Sequence, residues 1–292
     1  MKALGHLLFK FTVSSMIVSA PAMISAGNSM EANYGTGTLK GTTAPYNSAD
    51  VIKKFIRYTD FASSSVNTAN KELAARSAKE LKELAHRVEV KMLVDQAIAL
   101  YDSIGLRKAG LDEEAFEYAW RGYHNLLKKG LIQKKNLLSI CDFSQSSSRK
   151  RMYVIDVLHK RLLYRTYVAH GQNSGSEYAT SFSNEQNSFK SSLGFYLTGR
   201  TYYGRNGLSL KIQGMDTGYN DLASKRNIVL HGCTYAGPTH LHNYGSLGTS
   251  LGCPAMPAGM SPQIIRTVRH GSCFFIYHPT KTYLDGSPVL NG

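Results

Sequence analysis

Apolar positions along this chain follow three patterns in turn. The first is a short run, in which Leu7, Leu8 and Phe9 lead into a mostly apolar, small-residue stretch from Val13 to Ala26. Residues 27–49 then carry Gly, Ser, Thr, Asn and Ala with little apolar content, and read as a flexible leader. The second pattern spans residues 50–135, a helical segment. Leu73, Leu81, Leu84, Val88 and Met92 recur at helical spacing, and Leu93, Ala97, Ile98 and Tyr101 continue the stripe. Gly105 and Gly110 are stop signals. Asp112 is placed to cap a second helix that carries Glu113 and Glu114 in its first turn, where the helix dipole favours them. Ala115, Phe116, Ala119, Trp120, Tyr123, Leu126 and Leu127 form its apolar face, and Gly130 ends it.

The third pattern begins near residue 136, where glycine becomes frequent and runs become short. Strands are predicted at 137–143, 151–157, 162–168, 195–198, 208–212, 227–231 and 273–277, with a short helix after Ser261-Pro262. Residues 136–292 therefore read as a mainly β domain, a sandwich or barrel-like arrangement. The fold class expected is α+β, a helical segment followed by this β domain.

Charge and composition narrow the setting. The formal net charge is +14 with no long basic run, which suits a solvated basic surface or attraction to a polyanion. The opening segment resembles an export signal. Basic Lys2 and Lys10 accompany the apolar run, and Ala20-Pro21-Ala22 and Ile24-Ser25-Ala26 offer small residues for cleavage, so residues 1–26 are expected to be removed. No other stretch is long and apolar enough to span a bilayer, so no stable membrane insertion is expected after cleavage. Export also argues against nucleic acid as the partner and for an envelope polymer. Cys141, Cys233, Cys253 and Cys273 match no zinc spacing, and neither a metal site nor a cofactor motif is read from the sequence.

Two segments can carry chemistry. Ile228-Val229-Leu230-His231-Gly232 is an apolar strand ending in His-Gly, and Ser250-Leu251-Gly252-Cys253-Pro254-Ala255 is a cysteine in a turn-rich loop. A thiol attacks as thiolate, and its ordinary pKa of about 8.5 leaves little thiolate at neutral pH, so a neighbouring imidazole must take the proton. Gly252 admits close backbone approach and turn geometries that aim amides at an oxyanion. His170-Gly171 is a second His-Gly at a strand end, and spacing does not choose between the two. Tyr178, Tyr202, Tyr203 and Ser209 are candidate cleft residues, and His170 stays a candidate contact. Cys233 packs in the domain or pairs with Cys253 as a redox switch.

The His-Gly strand end followed by Ser-x-Gly-Cys resembles the YkuD-type L,D-transpeptidase domain. The Gly-Cys-Pro-Ala loop is closest to its murein L,D-transpeptidase catalytic domain branch. Val168-Ala169-His170-Gly171, Phe182-Ser183-Asn184, Ser191-Ser192-Leu193-Gly194 and, among the helices, Tyr101-Asp102-Ser103 are similar to that branch as well. The resemblance implies a YkuD-like catalytic sandwich with Cys253 as nucleophile and His231 as base. It implies that Gly252 and Ser250 shape the oxyanion loop and that Gly232 sits beside the base. The implied partners are a peptidoglycan tetrapeptide donor and an amine acceptor. The implied reaction proceeds through a cysteine thioester to 3–3 cross-links, in the periplasm or cell wall. The wider family pattern has Arg where this chain has Ala255, so another group must take that place. The alternatives are an L,D-carboxypeptidase or other wall peptidase or amidase, and a wall-binding module without catalysis.

Overall fold

The computed structural model describes residues 68–292, with side chains from residue 75 onward. The expected signal segment, the leader and the first part of the helical segment lie outside the described residues. Helix α1 (Thr68–Ile104) and helix α2 (Glu113–Lys128) are followed by eight strands. These are β1 (Leu137–Asp142), β2 (Met152–Asp156), β3 (Arg161–Thr166), β4 (Gly194–Gly204), β5 (Gly207–Gly214), β6 (Val229–Cys233), β7 (Ala255–Pro257) and β8 (Cys273–Tyr277). Short helices α3 (Pro238–Tyr244), α4 (Ser261–Val268) and α5 (Lys281–Gly286) lie among and after them. The fold is α+β, as the patterning implies.

Capping and burial explain the helices. Asp112 accepts the amides of Glu114 at 2.9 Å and Ala115 at 3.2 Å, so it closes the start of α2. Gly130, at φ 69°, follows the last turn of that helix. In α1 the buried positions among the described side chains lie in the C-terminal part. Leu93, Ala97, Leu100 and Tyr101 are buried, whereas Leu84 and Val88 of the expected stripe are exposed.

The strands join in one mixed sheet, ordered β3-β2-β1-β8-β4-β5-β6-β7. β8 runs parallel to β1 and β7 parallel to β6; the other neighbours are antiparallel. β1 and β8 are central and buried along their whole length. That explains why β8 is apolar throughout and β1 mostly so, since a strand covered on both faces has no solvent side. Phe195 of β4 stacks on Phe275 of β8, with ring centroids 4.1 Å apart, and α2 packs over β1 and β8. α4 packs over β5 and β6.

The join between α2 and the sheet is tight at Gly122, where a methyl group would land inside the Phe195 ring. Replacing a helical glycine by alanine ordinarily stabilises by about 0.5–1 kcal/mol. Here Phe195 is fully buried against Phe275 and cannot yield, so overpacking, typically about 1–3 kcal/mol, wins. Gly122→Ala is therefore expected to lower the melting temperature by about 2 °C or more in calorimetry. An increase would mean that the helix does not press on the sheet at this point.

Candidate active site

β6 and β7 set the geometry. Their parallel register pairs His231 with Ala255 and Cys233 with Pro257. Continued two residues back, it brings Cys253 beside Val229, and the Val229 amide donates to Cys253 Sγ at 3.4 Å. Side chains alternate along a strand, so Val229, His231, Cys253 and Ala255 share one sheet face. Residue 232 faces the other way. A methyl group at Gly232 would collide with Ser261 at the start of α4, so this glycine lets α4 close on the rear of the sheet.

The loop before Cys253 is held by side chains and by a special backbone. Gly252 has φ 118°, a region that favours glycine, and a methyl group there would sit 2.9 Å from the Lys190 carbonyl oxygen. Ser250 Oγ accepts the Gly252 amide at 3.1 Å and donates to the Cys253 carbonyl at 2.6 Å. Ser191 Oγ donates to the Gly252 carbonyl at 3.1 Å. The Gly252 amide is thus engaged in shaping the turn. Among the described hydrogen bonds the Cys253 amide has no acceptor.

The imidazole is oriented by its own strand. His231 Nδ1 lies 2.9 Å from the Gly232 carbonyl oxygen. A carbonyl only accepts, so Nδ1 carries the proton and Nε2 keeps a lone pair. Burial lowers the His231 pKa, with the Gly232 carbonyl acting against it. Burial raises the Cys253 pKa, opposed by the Val229 amide and by the Arg226 charge. Both shifts leave the proton on sulfur, so the resting pair is neutral. The thiol points to the Asn227 carbonyl oxygen at 3.7 Å rather than to the imidazole.

Arg226 and Asn227 are site residues that sequence reasoning missed. Arg226 donates to the carbonyls of Ser183 at 2.7 Å and Lys190 at 2.6 Å, and to the hydroxyls of Ser188 and Ser192. All four acceptors are neutral, so its charge remains to act on Cys253. It brings a cation to the cysteine loop from a different segment than position 255. Asn227 sits at φ 57°, and such a left-handed turn just before an apolar strand is the one signal that marks it. Tyr235 is also close. Its hydroxyl is pushed above its usual range by burial and by Cys233 and Cys253.

The other candidates fall on different surfaces. Register places Tyr202 opposite Ser209, and Ser209 opposite His231, so all three share the His231 face. Ser209 is buried and donates to the Gly207 carbonyl at 3.2 Å; Tyr202 is exposed at the rim. Tyr203 is exposed on the opposite face. Tyr178 lines a separate cavity with Tyr101, Asp112 and Gln145. His170 is 1% exposed. Arg151 donates to its Nδ1 at 2.7 Å and its Nε2 donates to the Gly175 carbonyl at 3.0 Å. Both of its nitrogens are thus engaged within the fold, and its pKa is pushed down to about 4, chiefly by burial and then by Arg151. Of the two readings of Cys233, the pairing with Cys253 is not formed, since all four cysteines are free. By register Cys233 lies four residues beyond the position beside Cys253, roughly 13 Å along the strand, and a disulfide tolerates about 7 Å between Cα atoms.

A histidine on one strand and a cysteine in the loop that enters its neighbour, with the imidazole preset to accept a proton, form the arrangement that thiol-dependent acyl transfer needs. The L,D-transpeptidase catalytic domain family matches residues 107–277, more than half of the chain, and the chain belongs to that family. None of the curated proteins matches it. Among solved structures, an L,D-transpeptidase from Mycobacterium smegmatis is similar at 11% identity and a TM-score of 0.30, over 49% of this chain and 59% of that one. The LD-transpeptidase LdtMt1, solved with imipenem, is similar at 9% identity and a TM-score of 0.30, over 49% and 59%. The chain thus spans less than two thirds of the length of these solved relatives.

The neutral resting pair has a measurable consequence. Iodoacetamide alkylation of Cys253, followed by peptide mass mapping, is expected to titrate above the ordinary range of a thiol. Arg226→Met should move the midpoint higher still, because it removes a favourable cation. A reactivity plateau already present at neutral pH would reveal a thiolate–imidazolium pair instead.

Proposed function

We propose that this protein is a peptidoglycan L,D-transpeptidase that works by a cysteine thioester. The observation that carries the proposal is the β6–β7 register, which sets Cys253 and His231 on one face with the imidazole Nε2 free to accept a proton. Membership of the L,D-transpeptidase catalytic domain family supports the same reading.

The reaction begins when the donor stem fills the cleft and turns the thiol from Asn227 to His231. Nε2 takes the proton, and sulfur attacks the carbonyl carbon of the amide that joins diaminopimelate to the terminal D-Ala. The C=O π electrons move to oxygen, and the resulting oxyanion meets the free Cys253 amide. Arg226 favours the negative charge at sulfur as the proton leaves. Collapse of the intermediate breaks the C–N bond, and His231 returns its proton to the departing amine of D-Ala. The thioester is then resolved by the amine of a second stem, which gives a 3–3 cross-link and frees the thiolate for reprotonation. Water in place of the amine gives a tripeptide, the L,D-carboxypeptidase outcome. The expected site of action is the cell envelope, after export.

The test incubates residues 27–292, wild type and Cys253→Ala, with disaccharide-tetrapeptides and separates the products by liquid chromatography and mass spectrometry. Dimers linked 3–3 from the wild type alone are expected, with at least about a thousandfold loss in Cys253→Ala, as when a catalytic nucleophile is removed. Loss of D-Ala without dimers would make the enzyme a carboxypeptidase. Binding of wall fragments by both proteins without turnover would make it a wall-binding module.

A further inference from the structure

A cavity of about 550 Å³ lies among β4, β5 and the segment that enters β6. Its wall includes Asn227 and Val229, the two residues whose backbone contacts Cys253 Sγ. The same lining holds Arg200 of β4 and Lys211 of β5. The cavity lining holds no carboxylate. Neither cation belongs to an ion pair among the described residues.

The two cations are brought together by a defect in the sheet. β4 pairs Thr198 with Ile212 and Thr201 with Leu210, so Gly199 and Arg200 together face Lys211. This is a β-bulge, a device that re-aims side chains beside functional sites. Lys211 is paired in turn with Val229, which puts it on the Cys253 face. Its Nζ lies over the Tyr202 ring, 6.0 Å from the centroid, so an aromatic wall helps hold the ammonium at the rim.

We propose that this cavity is a carboxylate subsite that holds the C-terminal carboxylate of the acyl donor's departing residue. The proposal rests on the transpeptidase reading for the identity of the donor. When the leaving group is a single amino acid, its carboxylate carbon stands two bonds beyond the scissile nitrogen. It therefore lies within about one residue length of the atom that sulfur attacks. The cavity begins at the two residues that touch that sulfur, and a guanidinium and an ammonium line its other strands. Arg200 and Lys211 thus select peptides that end one residue after the scissile amide, because a longer or amidated terminus puts no charge there.

The test uses Cys253→Ala, so that turnover plays no part. Its affinity is measured for the stem tetrapeptide with terminal D-Ala, as free acid and as C-terminal amide. The free acid should bind at least about ten-fold more tightly, the equivalent of one hydrogen bond between charged groups. That preference should vanish when Arg200→Gln and Lys211→Gln are added; both positions are exposed, so the fold should tolerate the changes. Equal binding of acid and amide, no binding of either, or a preference that survives the double substitution would overturn the subsite. Wild-type turnover is scored separately. Turnover without an acid preference in binding rejects the subsite and keeps the transpeptidase, whereas the preference without turnover rejects the transpeptidase and keeps the subsite.

Discussion

The parallel pairing of β6 with β7 is the constraint on which the site depends. β7 is three residues long, yet its register with β6 decides where Cys253 falls. Slippage by one residue would turn Cys253 to the α4 side of the sheet, since successive side chains alternate faces. Several features hold the register against that slip. Ala169 exchanges backbone hydrogen bonds with Ala255 at 2.8 and 3.2 Å on the outer side of β7. Ser250 clamps the turn from both directions, and Gly252 occupies a backbone region that a side chain would oppose. On the rear face, Gly232 leaves space for Ser261.

Electrostatics around this frame favour the neutral thiol of Cys253. Burial acts on thiol and imidazole in opposite senses, and both effects disfavour charge separation. The Val229 amide and the Arg226 guanidinium oppose burial but leave the thiol raised. In the proposed mechanism charge develops at sulfur only as His231 takes the proton, which is where stabilisation lowers the barrier rather than the ground state. Arg226 suits this role because its hydrogen-bond partners are all neutral, and the loop it holds, residues 183–192, is the one that packs against Gly252.

Much of the fold was legible in the sequence because burial and period agree there. β1, β2 and β8 are apolar runs of ordinary strand length, and Asp112 marks its helix start by chemistry alone. β7 escaped because three residues ending in proline carry no period. β4 was read too short because its second half, past the bulge, is polar and exposed. Leu84 and Val88 have the right spacing but no partner among the described residues, since periodicity reports a face and not what covers it. His170 and His231 are alike as sequence, each an apolar run ending in His-Gly. What separates them is tertiary: Arg151, nineteen residues earlier, engages one ring, while the other keeps a nitrogen free. Arg226 belongs to no motif, because its nearness to Cys253 comes from the turn at Asn227.

The central claim is that Cys253 takes the acyl group while His231 moves the proton. Its most direct measurement is intact-protein and peptide mass spectrometry of the wild type, quenched in acid during turnover of a tetrapeptide donor. A mass increase equal to the donor less D-Ala is expected on the peptide that contains Cys253, with strongly reduced accumulation in His231→Gln. An adduct on another residue, or one that forms as fast without the imidazole, would contradict it.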